Sequence, residues 1–181
     1  MVLEFYFFVL RPIMSLTMYS SSIPYFIRAL NNLSAILKKG VDHAEAHEID
    51  PAILVTARLF PDMFPLSRQV QIACDVSKGA AARISGIEAP SFEDTESSFD
   101  ELQERIKKTI EFLESVPEDK INGTEDKAIK MQAGTFEVDF TGTTYLLMWA
   151  LPNIHFHVTT TYNILRHNGV VLGKIDFVGK P

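Results

Sequence analysis

The chain has 181 residues, 46% of them hydrophobic and 22% charged, with a formal net charge of −6. That length and balance fit a single globular domain with one sizeable core, and the lack of any strongly basic run excludes nucleic acid and anionic membrane surfaces as expected partners. Cys74 is the only cysteine, so no intrachain disulfide can form and a cytoplasmic setting is expected.

Residues 1–13, MVLEFYFFVLRPI, are apolar but too short to span a bilayer. Glu4 comes early and Arg11-Pro12 follows the apolar run, which is not the order of a signal peptide. The expectation is an N-terminal extension over 1–13 and one folded domain over 14–181. Ser20-Ser21-Ser22 before Pro24 marks a helix start, and Ile23, Phe26, Leu30, Leu33 and Leu37 continue at helical spacing. Lys38-Lys39-Gly40 reads as its end, with VDHAEAHEI able to add a turn or two.

Asp50-Pro51 opens a second helix by cap and proline. Pro61 should break it, with Asp62 capping a restart that has Pro65 in its first turn. Leu66, Val70, Ala73, Val76, Ala80 and Ile84 form the apolar stripe of that restarted helix, which stops at Gly86. Residues 89–95 read as a loop. Ser98 and Glu101 form a capping box for a third helix carried by Phe99, Leu102, Ile106, Ile110 and Leu113. After polar turn material over 116–124, residues 127–131 and 135–140 have the pattern of a hairpin.

The last long helix runs from Trp149 to Gly169, with Pro152 expected to bend its start and Asn168-Gly169 to end it. At about 100° per residue, Ile154, His157, Val158, Thr161, Ile164 and Leu165 share an inward arc, while His155 faces out and His167 sits at the flank. Val171, Leu172, Ile175 and Phe177 can fold back on the helices. The fold class read from these segments is all-α, an antiparallel four-helix bundle with a short β-hairpin between helices three and four.

No nucleophile triad, phosphate loop or dinucleotide glycine pattern is present. His43 and His47 share a helix face, but His-Ala-Glu-Ala-His lacks the zincin order, and a solvated helix end is the plainer reading. His157 and His167 lie ~15 Å apart along one helix and cannot share a metal. Arg58 and Asp62 have the spacing of a helical ion pair or cap. Gln69 lies near the core stripe of helix two and needs partners for its amide if buried. Cys74 reads as an inert thiol. His157 should join a polar cluster between helices two and four, formed with Arg58, Asp62 or Gln69, or with Thr161 one turn on.

The segments RLFPDMFPLSRQVQIACD, KGAAARISG and HFHVTTTYNILRHNG together resemble the domain-of-unknown-function family nineteen ninety-three, from about Met14 to the end. That family is placed with the DinB-like bundles. The resemblance implies a four-helix bundle related to enzymes that bind a divalent metal through three histidines, among them thiol-dependent transferases. In those relatives one ligand comes from helix two and a pair spaced by four from helix four. Placing RHNG on the helix-four motif puts His167 and Asn163 at the paired positions, and Gln69 at the helix-two position. Amides are weak ligands for such ions, so no bound metal and no cofactor are expected. The candidate ligand-binding residues are Arg58, Asp62, Gln69, His157, Asn163 and His167. Three readings remain: a small-molecule-binding or degenerate enzyme domain without a complete metal site, a divalent-metal-dependent transferase or hydrolase, or a homodimeric interaction protein.

Overall fold

The computed structural model describes residues 16–180; the expected extension over 1–13 lies outside them. Helix α1 spans Ile23–Ala46, α2 Pro51–Thr56, α3 Leu66–Ser85 and α4 Phe99–Glu114. Strands β1, Ile129–Ala133, and β2, Phe136–Phe140, follow. Helix α5, Gly142–Tyr145, then runs through a π turn at Leu146–Ala150 into α6, Leu151–His167, and α7 covers Lys174–Val178. The architecture is therefore mostly helical with a two-stranded antiparallel sheet.

The local signals explain most boundaries. Pro24 sits in the first turn of α1, where its missing N–H leaves no gap in the ladder. The expected stop at Lys38-Lys39-Gly40 is overrun, and α1 continues to Ala46. Gly40 serves instead as a contact point: a Cβ there would lie 3.2 Å from Leu165 Cδ2 and 3.3 Å from Phe99 Cζ, so its bare backbone lets α4 and α6 approach. Asp50 caps α2 by accepting from the Ala52 N–H. The Ser98–Glu101 box is formed in both directions. The Ser97 and Ser98 N–H groups donate to the Glu101 carboxylate, which holds its pKa below the usual range.

Two boundaries depart from expectation. Asp62 caps nothing; α3 begins after Pro65, and Asp62 lies exposed in the connecting turn. The hairpin pairs Ile129 with Phe140 and Ala133 with Phe136, two residues further along β1 than the spacing predicts, with Gly134 at φ 62° in the turn. Pro152 does not break its helix. The Leu151 N–H reaches back five residues to the Leu146 carbonyl, and this widened turn makes room for the proline ring where an ordinary turn would clash.

The core sits where α3 packs against α4 and α6 while α1 packs against the same two helices. Phe26, Leu30 and Leu33 of α1, Val70 and Ile84 of α3, Leu102 of α4 and Ile164 of α6 are all fully or almost fully buried. Alanines 73, 80 and 81 on α3 keep that helix close to its neighbours. No helix among the described residues is long and apolar enough to cross a membrane.

Candidate functional site

His157 faces inward, as its place on the apolar arc predicts, and only 8% of it is exposed. Its Nδ1 lies 2.7 Å from Gln69 Oε1 across the α3–α6 interface. The Gln69 amide is oriented by its other end, where Nε2 donates to the Phe64 carbonyl at 3.2 Å. With Oε1 fixed toward the imidazole, Nδ1 carries the proton and Nε2 keeps the lone pair. Nε2 makes no hydrogen bond among the described residues.

Burial first, and the nearby Arg68 guanidinium second, push His157 down to about 4. The imidazole is therefore neutral at physiological pH, and Nε2 is an acceptor. Phe156 stands edge-on to it, ring centres 5.2 Å apart. Phe156 is more than half exposed.

The other expected members of the cluster lie elsewhere. Arg58 is exposed and its Nη1 donates to the carbonyls of Pro61, at 3.3 Å, and Met63, at 3.1 Å. It makes no ion pair with Asp62, because Pro61 and Pro65 interrupt the helix whose face that spacing needed. Thr161 is buried but donates to the His157 carbonyl at 3.0 Å, within its own helix. Asn163 and His167 are both exposed. Ten helical residues fall about 80° short of three full turns, which carries His167 from the inward arc into solvent.

The pair spaced by four that contains the inward histidine is thus Asn153–His157, ten residues before the pair expected from RHNG. Asn153 stands one turn before the inward-facing His157 on the same helix. Its Nδ2 donates to the Trp149 carbonyl at 2.7 Å.

A divalent metal of the kind that the resemblance implies does not fit these donors. Gln69 Oε1 already accepts from His157 Nδ1, Asn153 and Gln69 are neutral amides, and one imidazole nitrogen is left for the ion. Among the described residues no group of three or more His, Cys, Asp or Glu could hold a metal. His43 and His47 stack with ring centres 4.2 Å apart, and His47 Nδ1 lies 2.9 Å from the His43 carbonyl. Cys74 is fully buried, and that burial pushes its thiol up to about 12.

A helical domain of this build, with a hairpin before the last long helix and a polar pair between α3 and α6, belongs to the DinB-like class. The solved structure of a DinB family member protein from Shewanella denitrificans superposes with a TM-score of 0.82 at 37% identity, covering 90% of this chain and 92% of that one. The chain belongs to the family described as a domain of unknown function, DUF1993, whose model matches residues 18–178. No curated protein is similar enough to count as a match.

Proposed function

We propose that this protein is a small-molecule-binding domain of the DinB-like class without a complete metal site. In this reading α1, α3, α4 and α6 form an antiparallel four-helix bundle, and the ligand is received at the Gln69–His157 pair. The observation that carries it is an inward-facing, neutral imidazole whose Nδ1–H is held by Gln69 across the α3–α6 interface and whose Nε2 makes no hydrogen bond among the described residues. Stability alone would favour an apolar residue at such a helix contact, whereas a ligand with an N–H or O–H group has use for a fixed acceptor. Phe156 supplies apolar contact beside it.

Three measurements test the reading. Elemental analysis after loading with zinc, nickel or iron should give well under one ion per chain; one tightly held ion would overturn the metal-free part. Histidine-selective NMR should show the Nδ1–H tautomer, with Nε2 shifting when fragments bearing N–H or O–H donors are added. In His157→Ala, binding of those fragments measured by titration calorimetry should vanish while stability is nearly intact. If no fragment moves Nε2 and the variant instead loses on the order of 1–3 kcal/mol, His157 is a structural tie between α3 and α6.

A second reading, a homodimer through this face, is favoured by the exposure of Phe60, Phe64 and Phe156. Apolar side chains of that size are commonly covered in an assembly. A monomeric mass by light scattering at micromolar concentration would count against it.

A further inference from the structure

A second cavity lies where α6 meets α1 and α7. It has a volume of about 330 Å³, is partly open to solvent and is lined by residues of α1, α6 and α7. Its walls are mainly apolar, built by Ala29, Ile154, Val158 and Phe177. The polar groups around them are Tyr25, Arg28, Asn32 and His155, with no acidic residue in the lining. The Tyr25 hydroxyl lies 2.9 Å from His155 Nε2.

Two of these groups hold α7 in place over the cavity. Arg28 Nε and Nη2 donate to the Val178 carbonyl, and Nη2 also donates to the Lys180 carbonyl at 3.0 Å. Asn32 Nδ2 donates to the Phe177 carbonyl at 3.0 Å, and Lys39 anchors Asp176 of α7 at 2.7 Å. These bonds fix the Arg28 guanidinium without neutralising it. Among the described residues it pairs with no carboxylate, and its Nη1 donates to none of them. Tyr25 stands three residues before Arg28 on the same helix, so both reach the same side. Burial raises the Tyr25 pKa, which keeps its hydroxyl a donor.

We infer that this cavity binds a small apolar monocarboxylic acid, its hydrocarbon or aryl body against Ile154, Val158 and Phe177 and its carboxylate at Arg28 Nη1 and the Tyr25 hydroxyl. The volume sets the size. At ~30 Å³ for each water-sized group, about 330 Å³ holds roughly ten of them, the size of an eight-carbon acid. The charge sets the class, since a pre-positioned guanidinium with no acidic neighbour in the lining favours a carboxylate over an amine. This site is separate from the Gln69–His157 pair and does not depend on it.

The test is isothermal titration of the full chain with octanoate and, in parallel, octan-1-ol. Octanoate should bind saturably, one per chain. Ala29→Phe, which fills the cavity from a half-buried position, should abolish that binding. Val178→Trp on α7 should do the same, and serves if the first variant folds poorly. Tyr25→Phe, which leaves the bonds from Arg28 and Asn32 to α7 in place, should weaken octanoate about tenfold, the factor one charge-assisted hydrogen bond supplies, and octan-1-ol much less. His157→Ala should leave octanoate affinity as it is. The inference is overturned by an absence of saturable octanoate binding, by cavity-filling variants that bind as well as the parent, or by Tyr25→Phe weakening acid and alcohol alike. It is also overturned if His157→Ala removes octanoate binding, which would move the ligand to the other site.

Discussion

Replacing Arg105 with Ala should cost this protein about 3 kcal/mol and release the segment between α3 and α4. The Arg105 side chain is 1% exposed. Its Nη2 sits 2.9 Å from both Asp75 and Asp94, its Nη1 sits 2.9 Å from Glu96, and Nη1 also donates to the Glu93 carbonyl at 3.1 Å. The guanidinium lies over the Phe92 ring, 5.4 Å from its centre. One cation thus fastens residues 92–96 to α3 and α4. Removing one partner from a buried ion pair typically costs about 3–5 kcal/mol, mostly because the remaining charge is stranded. Here Asp75 and Asp94 are 36% and 40% exposed, and water can take them back; only Glu96, at 12%, is stranded. The cost therefore falls at the lower end, about 3 kcal/mol, which for a domain of this size lowers Tm by about 6–12 °C. Thermal denaturation followed by circular dichroism at pH 7 gives the number, and limited proteolysis reports on residues 92–96. Arg105→Lys should rescue little, because an ammonium cannot span three carboxylates as the guanidinium fork does. A loss below about 1 kcal/mol, typical of a surface ion pair, with unchanged proteolysis would refute the reasoning.

Three further outcomes follow from the same geometry. The unfolded His157 imidazole takes up a proton near pH 6.5 and the folded one only near about 4. Stability should therefore fall as pH drops through that window, by about 3 kcal/mol in all, and level off below it. Urea titrations of the parent and His157→Phe across pH 4–7 should show this part of the slope in the parent alone. Gly142→Ala places a Cβ 2.0 Å from the Thr124 carbonyl oxygen, so backbone must move, and a chemical-denaturation loss of about 1–3 kcal/mol is expected. Cys74, fully buried and with its thiol raised to about 12, should resist a thiol reagent at pH 8 in the native protein and react at once in denaturant.

Elements whose limits are set by neighbours in the chain were legible in advance. The capping box at Ser98, the proline-led starts of α1 and α2, the stop at Gly86 and the break around Pro61 are all short-range effects of donors, acceptors and fixed φ. The inward turn of His157 was legible for the same reason, since helical periodicity alone selects the face. Where a local signal competed with packing it failed: Lys38-Lys39-Gly40 looked like a helix end, but burying Gly40 against Leu165 and Phe99 carries the helix through. Asn163 and His167, the paired positions that the RHNG resemblance implies, are exposed, and a motif in one dimension does not report which face a helix turns inward.

The sequence by itself thus determined the secondary elements, the mainly helical class and the burial of His157, because these follow from interactions within a turn or two of chain. Only the tertiary structure decided partners. Gln69 and His157 stand 88 residues apart and meet because α3 and α6 pack in one particular rotation. Arg105 is a charged residue on α4 whose burial comes from residues 92–96 crossing over it. The α1–α6–α7 cavity exists because Arg28 and Asn32 hold a segment about 150 residues away. Contacts of that separation depend on how whole helix faces fit together, and no local pattern of residues encodes that fit.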